Sequence, residues 1–180
     1  MGLLNRLYRG IDCFTEFSGR CVAWLTLLLV ITTCVVVVMR YVLGGGSIAV
    51  QESMTYMHAS LFMLAMAYTL KRGGHVRVDI FYRNYSLRTQ ALVDVLGTLL
   101  CLLPLSILIL VMSWDYVTNS WAIREVSSEG AGIKGVYLLK TLLLIMPATL
   151  VIQGIAELLK NLLFLFGKGG SHTEEKVELL

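Results

Sequence analysis

The chain has 180 residues, of which 57% are hydrophobic, and its formal net charge is +3 at pH 7. Its mean hydropathy is +0.75. The hydrophobic fraction is too high for an ordinary soluble domain, in which about 45–50% of residues are apolar. Charged residues make up 15% and lie in clusters separated by long uncharged stretches, so the composition predicts an integral membrane protein and gives no indication of nucleic-acid binding.

The N-terminal segment, residues 1–20, has apolar residues at helical spacing with charged residues largely between them. This pattern predicts a short amphipathic helix that lies in the inner membrane interface. A simple charged lead-in to the first span is the alternative, and the sequence leaves both open.

Residues 21–166 are predicted to form an all-α membrane domain with four transmembrane helices, at about 21–41, 52–71, 92–114 and 136–157. The first contains nineteen uncharged residues from Cys21 to Met39, which as a helix span about 28 Å of the ~30 Å hydrocarbon core. Ser86 is a predicted N-cap for the third helix, and Pro104 is expected to kink it. Residues 167–180 form a polar tail, predicted to be cytoplasmic.

The most basic stretch follows the second predicted span and runs from Lys71 to Arg88, with five Lys/Arg in eighteen residues. Lys and Arg resist transfer across a membrane, so this loop is predicted to stay on the cytoplasmic side. With both termini on that side, the inner segments hold eleven Lys/Arg and the outer segments four. The count therefore predicts cytoplasmic N- and C-termini.

No arrangement of residues typical of an enzyme appears in the sequence. His58 is the one histidine within a predicted span, whereas bis-His haem ligation needs a pair. The cysteines form no Cys-x-x-Cys pair, and none lies in a predicted outer loop; they are Cys13, Cys21, Cys34 and Cys101. Neither a zinc site, a disulfide framework nor a thiol oxidase is predicted, and we expect no catalytic activity, metal or cofactor.

The acidic residues of the membrane domain avoid the middle of the predicted spans and lie near their ends, at Glu52, Asp94, Asp115 and Glu157. An ionised group at the centre of a membrane helix costs about 2.5–3.5 kcal/mol on insertion scales. No substrate or ion path is therefore indicated within this chain alone. A self-contained small transporter, acting as a homo-oligomer, remains the alternative function.

Charged residues near the outer interface are candidates for assembly. Arg40 and Tyr41 end the first predicted span and Glu52 opens the second, with a glycine-rich turn between them. Arg40 and Glu52 either pair or remain independent solvated charges. The longest outer segment, Tyr116 to Gly135, is polar and is the candidate for contact with an external partner, through Trp121, Arg124, Glu125 and Glu129.

The inner loop alternates polar and apolar residues from His75 to Asp79, directly after Gly73 and Gly74. The glycines are predicted to end the second helix. The alternation places His75 and Asp79 on the same side of an ordered inner corner, as further assembly candidates. A plain solvated basic loop is the alternative.

These motifs together resemble the small membrane subunit of the tripartite ATP-independent periplasmic (TRAP) transporters. The resemblance rests on Met39-Arg40-Tyr41, on Glu52 and on Lys71-Arg72-Gly73-Gly74-His75-Val76-Arg77-Val78-Asp79, within four predicted spans. It covers roughly residues 20–160.

The resemblance implies a three-part uptake system in a bacterial inner membrane. In such systems a soluble periplasmic protein captures an organic acid, and a large membrane subunit binds sodium ions and moves the substrate. The small subunit braces the large one, in contact with membrane lipid. The resemblance thus implies a non-catalytic scaffold, whose outer segment is a candidate docking place for the periplasmic protein.

Overall fold

The computed structural model describes residues 2–74, 82 and 85–166. Within these residues the chain is helical and contains no β-strand, which confirms the all-α prediction. The α-helices are α1 (Gly2–Tyr41), α2 (Ile48–Lys71), α3 (Leu87–Gly97), α4 (Leu103–Ala122) and α5 (Val136–Leu165), and a π-helical turn (Thr98–Leu102) joins α3 to α4.

The first helix runs without a break for 40 residues, about 60 Å at ~1.5 Å per residue. The end expected near residue 20 is absent, so the predicted N-terminal helix and the first predicted span are parts of one element. No proline interrupts residues 2–41, and Gly19 is a packing position. A Cβ atom added at Gly19 would lie 2.7 Å from Cβ of Tyr68 on α2, so the two helices approach closely there.

Three helical segments are long and apolar enough to cross a membrane: Tyr8–Tyr41, Leu87–Ala122 and Val136–Leu165. They contain the first, third and fourth predicted spans. The second prediction coincides with α2, a helix of 24 residues that carries Gln51, Glu52 and His58 and is less apolar than the other three. It packs against both α1 and α5.

Two predicted helix signals are confirmed. The Ser86 hydroxyl accepts a hydrogen bond from the backbone N–H of Thr89 and so caps α3. After α2, Gly73 adopts a φ of +65°, and its N–H donates to the carbonyl of Leu70 at 3.0 Å. A left-handed glycine directly after a helix satisfies the last carbonyl groups and ends the helix.

The π-helical turn ends two residues before Pro104 and lies close to α5. Proline has no N–H and its ring crowds the preceding helical turn, and the wider turn accommodates it: the N–H of Leu103 donates to the carbonyl of Thr98. Gly154 of α5 faces this region, where an added Cβ would lie 2.7 Å from Leu102. The expected irregularity at Pro104 is therefore a local widening of the helix against α5.

Candidate functional site

Polar groups from distant parts of the chain come together at each end of α2. The Glu16 cluster consists of Asp12, Thr15, Glu16, Lys71, Arg72 and Gln153. The Glu52 cluster consists of Glu52, Ser127, Gly132 and Ile133. Along α2, Glu52 and Lys71 are 19 positions apart, or about 28 Å, so the two clusters lie at opposite ends of the helix bundle.

The carboxylate of Glu16 is the centre of the first cluster. It accepts hydrogen bonds from Lys71 at 3.2 Å and from Arg72 at 2.5 Å, both at the end of α2. The side chains of Glu16 and Lys71 are only 19% and 13% exposed, so this ion pair is largely shielded from solvent and α1 is fixed to α2. Arg20 also binds Glu16, at 3.0 Å, but its own side chain is 73% exposed.

Lys71 and Arg72 make further contacts that hold their positions. Lys71 Nζ donates to the backbone carbonyl of Asp12 at 2.9 Å and lies 3.7 Å from the Asp12 carboxylate. The Arg72 guanidinium lies 5.4 Å from the ring centroid of Tyr68, within cation–π range. The hydrogen bond to Glu16 raises the pKa of Arg72 above its ordinary value, so this group remains charged.

Gln153 connects the cluster to α5. Its side chain is fully buried; its amide oxygen accepts a 2.7 Å hydrogen bond from the hydroxyl of Thr15, and its amide nitrogen donates to Asp12 at 3.1 Å. A buried polar group without a partner is costly. These bonds therefore specify how the first third of α1 sits against α5.

The second cluster ties the outer segment to the start of α2. One carboxylate oxygen of Glu52 accepts a hydrogen bond from the hydroxyl of Ser127, and the other accepts a 2.7 Å bond from the backbone N–H of Ile133. The glycine at 132 leaves room for this arrangement, since an added Cβ would lie 2.7 Å from the Glu52 carboxylate. These contacts hold the outer segment against the start of α2.

A third set of contacts holds the same segment to α5. Glu125 and Lys140 form a 2.5 Å ion pair, and the Lys140 ammonium lies 4.0 Å from the ring centroid of Tyr116. The hydrogen bond from Lys140 lowers the pKa of Glu125. Trp121 donates a 2.9 Å hydrogen bond to Thr141.

The predicted outer-segment residues therefore divide into two kinds. Trp121 and Glu125 are engaged with α5, as described above. Arg124, which has a φ of +47°, and Glu129 are exposed. Trp121, although bonded to Thr141, is also 46% exposed.

Arg40 and Tyr41 occupy the end of α1, and both are exposed, Tyr41 by 80%. Arg40 and Glu52 do not pair within the chain, because the Glu52 carboxylate is bound by Ser127 and Ile133. His75 and Asp79 lie outside the described residues. At the border of the inner loop, Tyr82 donates a 2.7 Å hydrogen bond to Asp94.

Sequence reasoning missed most of the Glu16 cluster. Asp12 and Glu16 were expected in a separate interfacial helix, and Thr15 and Gln153 were not singled out. A usable signal was present at Gln153, since an amide inside an otherwise apolar span needs a partner on a neighbouring helix. The identity of that partner depends on the packing of α1 against α5.

Over the described part of the chain, no group of three or more His, Cys, Asp or Glu is placed to hold a metal ion. The fold and the clusters define a helical membrane protein whose polar groups join its own helices at both ends. The family of tripartite ATP-independent periplasmic transporters, DctQ component, matches residues 29–164, and the chain belongs to this family. No curated protein and no solved structure matches it.

Proposed function

We propose that this chain is the scaffold subunit of a sodium-coupled uptake system for organic acids, in a bacterial inner membrane. Its partners are a large membrane subunit, which carries the ions and substrate, and a periplasmic substrate-binding protein. The observation that carries the proposal is the pair of polar clusters at opposite ends of α2. They fix α1, α2, α5 and the outer segment relative to one another, and a scaffold needs such a rigid arrangement.

In this proposal α2 also crosses the membrane, so that together with the three apolar segments it makes four transmembrane helices. Its charged ends, Glu52 and Lys71, are separated by about 28 Å, close to the ~30 Å hydrocarbon core. The Glu16 cluster then lies on the cytoplasmic side together with both termini, as the distribution of Lys and Arg favours. We further propose that His75 and Asp79 contribute to assembly.

The outer segment then faces the periplasm. Arg124 and Glu129 are the residues available to the substrate-binding protein, because Trp121 and Glu125 are engaged with α5. This division is supported by the bonds that Trp121 and Glu125 make with α5, and the indole of Trp121, which is 46% exposed, adds an apolar surface beside Arg124.

Reconstitution in lipid vesicles tests the proposal. The large subunit, this chain and the binding protein are added or omitted in turn, and uptake of a labelled organic acid is measured with and without a sodium gradient. We expect uptake with all three components and the gradient, and loss of uptake when this chain is omitted. Full uptake without it contradicts the scaffold function, and uptake by this chain alone favours the self-contained transporter.

A further inference from the structure

The exposed surface of α2 is a single narrow stripe. The exposed positions of this helix are Ile48, Gln51, Thr55, His58 and Phe62. They recur every three or four residues and so lie on one face of the helix. The other faces are at least partly covered, chiefly by α1 and α5.

The polar members of this stripe have no hydrogen-bond partner in the part of the chain that the structure describes. The side chains of Gln51, Thr55 and His58 make no hydrogen bond with any described residue. Taking Glu52 as the membrane boundary, Thr55 lies about 5 Å and His58 about 9 Å deeper along the helix. Hydrocarbon offers no hydrogen bonds to these groups, so exposure to lipid would leave them unsatisfied at that depth.

Another exposed surface of the chain suits lipid much better. On α4 the exposed side chains near the middle of the helix are all apolar, and Leu105, Leu108, Val111 and Met112 are each more than half exposed. The two surfaces differ in chemistry although both lie on helices of the same bundle. This contrast indicates that protein, rather than lipid, covers the α2 stripe.

Arg40 extends the stripe at its outer end. A shallow cleft between the end of α1 and the start of α2 is lined by both Arg40 and Gln51. The nearby acidic groups have other partners: Glu52 binds Ser127 and Ile133, and Glu125 binds Lys140. The Arg40 guanidinium therefore has no carboxylate partner within the described residues.

We propose that the α2 stripe with Arg40 is the surface that binds the large membrane subunit; the inference rests on the proposed function. The partner is a membrane helix with hydrogen-bonding side chains at the depth of Thr55 and His58 and a carboxylate at the depth of Arg40. A second copy of this chain fits poorly. Two copies related by a two-fold axis along the membrane normal would bring both Arg40 guanidinium groups to the same depth.

Site-specific photo-crosslinking in the assembled complex tests this surface. A p-benzoylphenylalanine residue replaces Thr55 or His58 in one pair of variants and Leu108 or Met112 in a control pair. We expect the α2 pair to give an adduct with the mass of this chain plus the large subunit, and the α4 pair to give none. An adduct of two copies of this chain, adducts from α4 alone, or only lipid adducts from α2 would overturn the proposal.

Loss of the polar contacts provides a second measurement. The double variant Thr55→Leu/His58→Leu keeps the helix apolar but removes both groups. We expect weaker association with the large subunit, by about threefold for each interhelical hydrogen bond lost, measured by co-purification at increasing detergent concentration. The control Leu108→Ala/Val111→Ala should retain full association, and equal retention by both double variants contradicts the proposal.

The same samples distinguish a failure of this inference from a failure of the proposed function. If the large subunit co-purifies and the complex imports substrate while α2 contacts only lipid, the surface is wrong and the scaffold function stands. If this chain neither co-purifies with the large subunit nor affects uptake, both are wrong.

Discussion

Thr15 donates a 2.7 Å hydrogen bond to the side chain of Gln153, although the two residues are 138 positions apart in the sequence. Both are buried, with exposed fractions of 4% and 0%. The bond joins the first third of α1 to the middle of α5. It also explains why a polar amide is tolerated inside an apolar helix, since each group satisfies the other.

Removal of Gln153 should therefore destabilise the protein. The variant Gln153→Leu leaves Thr15 without its acceptor, and we expect a loss of about 1–3 kcal/mol in unfolding measured in detergent. The double variant Thr15→Val/Gln153→Leu removes both groups and should cost less than the sum of the two single variants. Thr26→Val, at an exposed position of α1, is the control and should change stability by less than about 0.5 kcal/mol. Strictly additive effects would show that the bond contributes nothing.

Gly19 tests whether the first half of α1 packs against α2. In Gly19→Ala the new methyl group meets Tyr68, and overpacking of this kind costs about 1–3 kcal/mol. Gly10→Ala is the matched control, because nothing lies within 4 Å of its added Cβ and alanine favours the helix by up to about 1 kcal/mol. Thermal unfolding of both variants measures the difference. Equal stabilisation by both substitutions would instead support a separate interfacial helix.

Gly132 offers the same kind of test at the Glu52 cluster. The methyl group of Gly132→Ala would lie 2.6 Å from Cβ of Ser127, so the hydrogen bonds to Glu52 should break and stability should fall by about 1–3 kcal/mol. Gly130→Ala, with nothing within 4 Å of the added Cβ, should leave stability nearly unchanged. Proteolysis of the outer segment provides a second readout, and faster cleavage is expected only for Gly132→Ala. Identical cleavage of the two variants would mean that the contacts with Glu52 do not order the outer segment.

The Glu125–Lys140 pair predicts a dependence of stability on pH. The hydrogen bond from Lys140 lowers the pKa of Glu125 in the folded protein, below the ordinary value of about 4.3. The pair therefore stabilises the fold fully above the unfolded pKa and loses this contribution as the pH falls through the folded pKa. Melting temperatures of the parent protein and Glu125→Gln should differ at pH 7, keep that difference to about pH 5, and converge as the pH falls below the unfolded pKa and through the lower folded pKa of Glu125. A difference that stays constant however far the pH is lowered would contradict the assignment.

The local signals of the sequence predicted individual elements well. The Ser86 cap, the glycine end of α2 and the apolar runs of three spans each depend on neighbouring residues, and the structure has them at the predicted places. The same local reasoning failed at residue 20. The charged residues suggested a boundary there, whereas Asp12, Glu16 and Gly19 serve contacts with α2 and α5, which are distant in the sequence.

The Arg40–Glu52 pairing was undecidable from the sequence for a related reason. A short hairpin brings both residues to one end of the bundle, and their opposite charges are compatible with a bond. Ser127 and Ile133 bind Glu52 instead, because the outer segment folds back over α2. This choice depends on a chain segment 75 or more residues away.

The sequence by itself determined that this is a helical membrane protein of the TRAP small-subunit type, because hydrophobic runs, basic loops and short motifs act locally. Only the tertiary structure decided which polar groups meet, since Glu16, Gln153 and Glu52 find their partners on other helices or on a distant segment. It also decided which face of α2 remains uncovered. That face is defined by the packing of α1 and α5, and no pattern within α2 alone specifies it.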